Sequence, residues 1–326
     1  MKIGFCMPLN AVWRREVDRL KAALPELEFE TDMEKAVAGI DAFDAIVANP
    51  LPRERLEAAR ALKALFVPFV GLNHLPAELL IGRGVSVYNC HGNAESVAER
   101  ALAMTLAFFG RIVEFHNDLA GGRWHGFWVG KGAEDFWHSI YRRKALVLGT
   151  GAIGVELGKL LKAFGCEVTG YRRRPSLGVP AGFDRIVADL DAALDAAELV
   201  FVTLPHTGET EGLLSKERLL RMKGKFLVNV GRAAVVDEEG LWLALNDGIL
   251  AGAGIDVWYT YPQGGSTEGA PSRFPIHTLQ NVILSPHVGG STHEAIDLNA
   301  AATVDNVIEW VRTGDCRTRV DLKAAY

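Results

Sequence analysis

The chain has 326 residues, 49% of them hydrophobic and 23% charged, which is material for two cores rather than one. Forty acidic residues against 35 basic ones leave a net charge of -5, so nothing in the charge balance points to a nucleic acid or an anionic membrane as partner. No apolar run approaches the ~18 residues of a membrane span, and the apolar opening "KIGFCM" soon meets Trp13-Arg14-Arg15-Glu16 rather than extending into a signal-peptide core. Four cysteines (Cys6, Cys90, Cys166, Cys316) stand far apart with no CxxC pair, which reads as reduced thiols in a cytoplasmic protein; no metal site is expected.

Taken in chain order, "KIGFCM" is a strand, 11–24 a helix, 42–48 a strand, 52–62 a helix and 63–70 a strand. A helix from near Pro76 and the strand 85–90 follow. Such alternation predicts parallel βαβ units, a sheet covered on both faces, and so an α/β fold. Residues 94–117 carry apolar positions at helical spacing that become continuous through "ALAMTLAFF", predicting one long buried helix. "GGRWHGFWVGKGAEDFW" (121–137) is Gly-rich and aromatic; it reads either as a subunit contact or as a local cover. A second βα series starts at 144, with strands "KALVLG", "EVTGY", "RIV", "LVFVTL", "KFLVNV", "GAGIDVW" and "NVILSP". A last helix spans 292–313, ahead of a polar tail.

Between the first two strands of that second series lies Gly149-x-Gly151-x-x-Gly154. Strand, glycine loop and helix in this order form the dinucleotide-binding fingerprint. Gly149 permits the tight turn, Gly151 the approach of a pyrophosphate, and Gly154 close helix–strand packing, while the helix start at Ala152-Ile153 presents free N–H groups to phosphate. An NAD site places an acidic residue about 20 positions on, at the end of the second strand. Here that strand ends "VTGYRRRP". A carboxylate repels a 2′-phosphate, whereas guanidinium binds it, so Arg172 and Arg173, with Arg174 beside them, predict NADP(H) over NAD(H), with NAD(H) still possible. The alternative is a solvated basic turn.

The chain resembles the D-isomer-specific 2-hydroxyacid dehydrogenases, glyoxylate/hydroxypyruvate reductases among them. The similarity runs through "NAESVAERALAMTLA" (93–107), "LPHTGETEGLLSKERLLRMKGKFLVNVGRAAVVDEEGL" (204–241), "AGAGIDVW" (251–258) and "NVILSPHVGGST" (281–292). It implies two Rossmann-like, doubly wound parallel-sheet domains with the site in a cleft between them. A discontinuous substrate domain would span 1–93 plus 292–326, and a dinucleotide domain 94–291. The substrate would be a small 2-keto or 2-hydroxy acid, and the assembly a homodimer.

The resemblance also implies roles. His287, in "SPHVGG", matches the general acid/base, for which an imidazole titrating near neutrality is suited. Arg232, in "NVGRAAVVDE", matches the substrate-binding arginine, whose planar fork suits a carboxylate beside a carbonyl. Ala233 replaces the usual glycine after it. Val70 and Gly71 match the loop whose N–H groups hold the substrate carboxylate, and Asn93 a polar position nearby; Asn73 stands where an acid is common. Pro205, Gly289 and Asp256 fall on the cofactor side, with a core or cap role open for Asp256.

In such enzymes an acidic residue five positions after this Asp, directly before a proline, supports the histidine. Here that place holds Tyr261, which completes the candidate catalytic set. A tyrosine brings no negative charge at neutral pH, so His287 is expected to titrate lower than a carboxylate-paired histidine. Tyr261 as a pocket wall, with Glu268 supplying the charge, is an open alternative. The insertion 263–275 is flexible by composition and suits a lid. Pocket walls would come from loops near 49–53, 71–75 and 259–275, with Trp124 or Trp128 of a neighbouring subunit. Two other functions fit the same motifs: oxidation of a small anion, as in formate or phosphite dehydrogenases, and nucleotide sensing with little turnover, as in corepressors of the superfamily.

Overall fold

The computed structural model describes residues 1–323 except 49, 50, 73, 174, 175 and 177; Asn73 and Arg174 therefore lie outside the described residues. The chain divides into two units, Met1–Asn93 with Ser291–Tyr326, and Ala94–Gly290. No helix among the described residues is long and apolar enough to cross a membrane.

The first unit begins with β1 (Lys2–Cys6), α1 (Ala11–Ala23), β2 (Glu28–Glu30), α2 (Met33–Ala38), β3 (Ala45–Ala48), α3 (Arg53–Ala58), β4 (Ala64–Phe66), α4 (Ala77–Gly82) and β5 (Ser86–Tyr88). Its strands form a parallel five-stranded sheet in the order β2-β1-β3-β4-β5. β2 and α2 are absent from the sequence reading. "EFE" has one apolar residue between two charges, as an edge strand that must not recruit another chain often does.

The second unit opens with α5 (Ala94–Phe109) and α6 (Ile112–Ala120), so the single helix expected over 94–117 is two. Gly110 and Arg111 break it, Arg111 standing at φ 50° in the left-handed region. The Arg111 guanidinium holds the break, donating to the Glu114 carboxylate (2.8 Å) and to the Asp135 carbonyl (2.9 Å). Continuous apolarity marked the burial of α5 and carried no signal for this corner.

Next come β6 (Lys144–Leu148), α7 (Ala152–Ala163), β7 (Glu167–Tyr171), β8 (Arg185–Val187), α8 (Leu190–Ala196), β9 (Leu199–Val202), α9 (Lys216–Arg221), β10 (Phe226–Asn229), α10 (Glu238–Asn246), β11 (Gly252–Ile255) and β12 (Val282–Leu284). All seven strands are parallel, in the order β12-β11-β10-β9-β6-β7-β8. Side chains alternate between faces. Ala145 and Val147 join Leu199, Phe201, Phe226 and Val228 on one face, while Leu146 and Leu148 join Val200, Val202 and Leu227 on the other.

Both faces are covered. Val97, Ala101 and Met104 of α5 and Leu157 and Leu161 of α7 close the first, and Leu219 of α9 with Leu241 and Leu245 of α10 the second. Burial on both sides is why these strands read as unbroken apolar runs. Each fully buried leucine or phenylalanine contributes about 1.5–3 kcal/mol. The chain leaves β6 in one direction for β7 and β8 and returns to lay β9 on its other side. That reversal opens a crevice at the carboxyl ends of β6 and β9, where such sheets bind ligands.

Finally α11 (His293–Thr313) returns to the first unit. Its Ala300, Val304, Val307 and Trp310 pack with Trp13, Val17 and Leu20 of α1 against Ile3, Phe5, Ala45, Val47, Ala64 and Phe66 of the sheet.

Candidate active site

In the second unit the candidate residues gather along one edge of the sheet, each just past the carboxyl end of a strand. Gly149-Thr150-Gly151 follow β6, Arg172 follows β7 and Pro205 lies beyond β9. Arg232 lies beyond β10, Asp256 follows β11, and His287 and Gly289 lie beyond β12.

The glycine turn is built as its spacing requires. Gly149 takes φ 104°, and a Cβ on Gly154 would stand 2.1 Å from the Gly149 carbonyl oxygen, so only glycine lets α7 close onto the turn. Thr203 Oγ1 binds the carbonyls of Leu148 and Gly149, both at 3.0 Å, and ties the turn to the β9 end. α7 begins at Ala152 with Gly151 as its cap, and no side-chain cap takes up its first-turn N–H groups among the described residues. Thr210 Oγ1 donates to the Pro205 carbonyl (2.6 Å) and fixes that loop.

Arg172 is half-buried. Its Nη1 donates to Thr150 Oγ1 (3.3 Å), inside the glycine turn, and its Nη2 to the Gly178 carbonyl, while its buried Nε has no partner among the described residues. Arg173 is exposed and paired with Glu209. A helix N-terminus behind a turn that only glycine permits, beside the Arg172 guanidinium, fits the phosphates of a dinucleotide.

His287 occupies φ 59°, unusual for a residue with a side chain. Buried Asp256 holds it there. One carboxylate oxygen accepts from Ser285 Oγ (2.5 Å) and the Val288 N–H (3.0 Å), the other from the Gly289 N–H (3.0 Å). Strain of this type costs about 1–3 kcal/mol. Hydrogen bonds to a charged group contribute about 1.5–3 kcal/mol each, so three of them outweigh it. Trp258 Nε1 adds a bond to the Ser285 carbonyl (2.8 Å). The Asp256 carboxylate thus spends three acceptor positions on the histidine loop, and any cofactor contact shares it with that task.

Tyr261 meets the histidine directly. Its hydroxyl lies 2.7 Å from His287 Nδ1 and accepts the Trp258 backbone N–H at 3.1 Å. Nε2 of His287 makes no hydrogen bond among the described residues. The side chain reaches the surface, yet the protein around it weakens its hydration and lowers its pKa from the ordinary 6.5; the Asp256 charge opposes this and the Arg232 charge adds to it. Burial likewise raises the Tyr261 pKa above 10.0. Among the described residues no hydrogen bond or ion pair joins Glu268 to His287.

Arg232 follows a turn built by buried Asn229, whose Oδ1 accepts from the Gly231 N–H and whose Nδ2 donates to the Arg232 carbonyl, both at 3.1 Å. Arg232 Nη1 donates to the Gly231 carbonyl (2.7 Å). Burial lowers its pKa from 12.5; a guanidinium is cationic in proteins.

The insertion 263–275 is less free than its composition suggests. Buried Glu238 at the start of α10 accepts from Ser272 Oγ (2.9 Å), the Arg273 N–H (2.8 Å) and Arg273 Nε (2.7 Å), and Phe274 stacks on Trp242. Asn229, Thr203, Glu238 and Ser285 escaped the sequence reading, because a polar residue inside an apolar run or loop does not announce which backbone groups it will meet.

In the first unit Val70 and Gly71 follow β4, and the Val70 carbonyl accepts from Asn89 Nδ2 at 3.3 Å. Asn93 ends the unit's first segment, with no partner for its Oδ1 among the described residues.

The model of the family described as "D-isomer specific 2-hydroxyacid dehydrogenase, NAD binding domain" matches residues 102–289, more than half the chain. The chain belongs to that family. This D-2-hydroxyacid dehydrogenase is thus an NAD(P)-dependent oxidoreductase of CH–OH groups, interconverting keto and hydroxy acids. It is 30% identical over 317 residues to a glyoxylate/hydroxypyruvate reductase B of Pectobacterium atrosepticum, covering 92% of this chain and 94% of the relative. A glyoxylate reductase of Korarchaeum cryptofilum is 30% identical over 280 residues, 85% of this chain and 81% of the other. Among solved structures, the NADPH-dependent glyoxylate/hydroxypyruvate reductase of Sinorhizobium meliloti, in complex with citrate, superposes with a TM-score of 0.74 at 26% identity, covering 98% of each chain.

Proposed function

We propose that this dehydrogenase reduces a small 2-keto acid, of glyoxylate or hydroxypyruvate size, to its D-2-hydroxy acid with NADPH. The observation that carries the reading is His287, held by Asp256 and Tyr261 with Nε2 unbonded among the described residues, at the same sheet edge as Arg232. A bound dihydronicotinamide supplies the hydride. His287 Nε2 donates the proton that the developing alkoxide takes up. Arg232 holds the keto oxygen and carboxylate and stabilises charge as it forms on oxygen. Val70 and Gly71 N–H groups and Asn93 receive the carboxylate. A panel of keto acids followed by NADPH and NADH absorbance tests this, with formate and phosphite tried in the oxidative direction. Turnover of those anions and of no keto acid overturns it.

Arg172, with Arg173 beside it, supports the NADP(H) preference, since its buried Nε, without a partner among the described residues, offers a 2′-phosphate a donor. Arg172→Ala should lower kcat/KM for NADPH about 10- to 100-fold, the worth of roughly one charge-assisted bond, and leave NADH nearly unchanged. A wild-type enzyme that prefers NADH refutes the assignment.

The pH dependence has a definite sign. Reduction needs the imidazolium, and the His287 pKa lies below 6.5. The kcat/KM for keto acid therefore falls as pH rises through that depressed value. Tyr261→Glu places a carboxylate at Nδ1, favours the charged ring and moves the fall about one to three pH units higher. A profile that stays put in an active variant contradicts the assignment of His287 as the acid.

A homodimer is part of the same proposal. Phe127 and Trp128 are 71% and 76% exposed with their rings in contact, and Trp124 and Trp137 of the same stretch are exposed too, an open aromatic segment of the kind subunit contacts cover. Four free, buried cysteines suit a cytoplasmic location.

A further inference from the structure

His287 differs from a carboxylate-paired histidine in more than its pKa. A carboxylate only accepts hydrogen bonds. Next to Nδ1 it forces that nitrogen to carry a hydrogen, so the neutral ring keeps Nε2 vacant and ready to take a proton. Tyr261 can donate or accept, and its surroundings decide which.

The Trp258 backbone N–H is an obligate donor, and at 3.1 Å it points at the phenolic oxygen. One acceptor position of that oxygen is therefore taken. The hydroxyl hydrogen must go elsewhere, and His287 Nδ1 stands 2.7 Å away. Of the two ways to fill that contact, phenol O–H to imidazole N pairs the better donor with the better acceptor. A phenol is more acidic than a neutral imidazole N–H, and an imidazole lone pair is more basic than a phenol oxygen already engaged by an amide. The other charged groups bearing on the ring in this unit, Asp256 and Arg232, do not compete for Nδ1. Asp256 is occupied by Ser285, Val288 and Gly289, and the Arg232 Nη1 donates to the Gly231 carbonyl.

We propose that Tyr261, oriented by the Trp258 N–H, is a positioning residue that sets neutral His287 as the Nε2–H tautomer, the reverse of the form a carboxylate imposes. The proposal rests on His287 being the acid/base of the reaction. In the charged ring both nitrogens carry hydrogen, and Nδ1–H donates to the phenolic oxygen. In the neutral ring the phenol donates to Nδ1. The phenol hydrogen turns as the ring titrates, and the Trp258 contact persists in both states. In the reductive direction the Nε2–H bond of imidazolium breaks, its electron pair stays on nitrogen, and the substrate O–H bond forms. In the oxidative direction the resting neutral ring has its hydrogen on the nitrogen that must be vacant to take a proton. A hydroxy acid is therefore oxidised only by the minor tautomer.

The test is the side-chain 15N–1H correlation spectrum of the full-length enzyme without substrate, above the His287 titration, with His287 assigned by its loss in His287→Asn. Expected are a pyrrole-type Nε2 and a pyridine-type, hydrogen-bonded Nδ1 in the wild type, and the exchanged assignment in Tyr261→Glu. A pyrrole-type Nδ1 in the wild type overturns the proposal even if no variant folds, and so does a Tyr261→Glu spectrum with the wild-type assignment. Because the readout needs no turnover, it separates the two ideas. An enzyme with the expected spectrum and no keto acid activity refutes the substrate, whereas an active enzyme with the reversed spectrum refutes the tautomer.

Discussion

His287→Asn lowers kcat for keto acid reduction by about 10²- to 10⁴-fold, the usual worth of a positioned general acid. It leaves NADPH affinity and the thermal midpoint close to wild type. Asparagine is the instructive replacement because of the backbone. His287 stands at φ 59°, a conformation that asparagine tolerates better than alanine does. The Asp256 bonds to Ser285, Val288 and Gly289 do not involve the His287 side chain and persist. The variant thus removes the proton donor and its Tyr261 contact and keeps the backbone frame. Steady-state kinetics alongside a fluorescence titration with NADPH reads the effect. A kcat within about tenfold of wild type, well short of a general acid's contribution, would falsify the assignment of His287.

Arg232→Gln cuts kcat/KM about 10²- to 10³-fold, or roughly 2.7–4 kcal/mol, by analogy with the loss of one preorganised donor to a developing oxyanion. Both parameters should move. KM rises because the carboxylate contact is made in the ground state, and kcat falls because the keto oxygen gains charge only as the reaction proceeds. The backbone around Arg232 is fixed by Asn229 through groups the substitution does not touch, so misfolding is not the cause of the loss. Arg232→Lys keeps the charge without the fork and should fall between the two. A KM effect alone, with kcat intact, would restrict Arg232 to binding.

Much of this was legible before any coordinates. The strands of the second unit are apolar on both faces, so their sequences stand out, and each is followed by the residue type its chemistry needs: glycine after β6, arginine after β7 and β10, histidine after β12. Position five after Asp256 also identified Tyr261 as the place to look. The misses have physical causes. β2 is an edge strand with one apolar residue, so its pattern is close to that of a loop. The corner at Arg111 is held by a side chain 3 residues away and a carbonyl 24 residues away, beyond the reach of local periodicity. The work of Asp256 on the histidine loop depends on a register between β11 and β12 that pairs Ile255 with Leu284. Nothing in the residue types of either strand states that register. The bond from the Trp258 backbone to Tyr261 is likewise conformational, since every residue but proline has an N–H and only folding aims it.

The Glu238 anchor has a consequence for how the protein can change. Thr260 N–H donates to the Pro271 carbonyl at 3.0 Å, and Ser272 and Arg273 are fastened to α10. The excursion between them is therefore closed at its base like a drawn purse, with Tyr261 fixed separately by Trp258 and His287. Residues 264–269 hang outside that closure. Doubling a loop costs only about 0.6 kcal/mol. Evolution or an engineer can thus lengthen, shorten or graft onto this segment, altering what the rim of the site excludes, while the reacting groups keep their places.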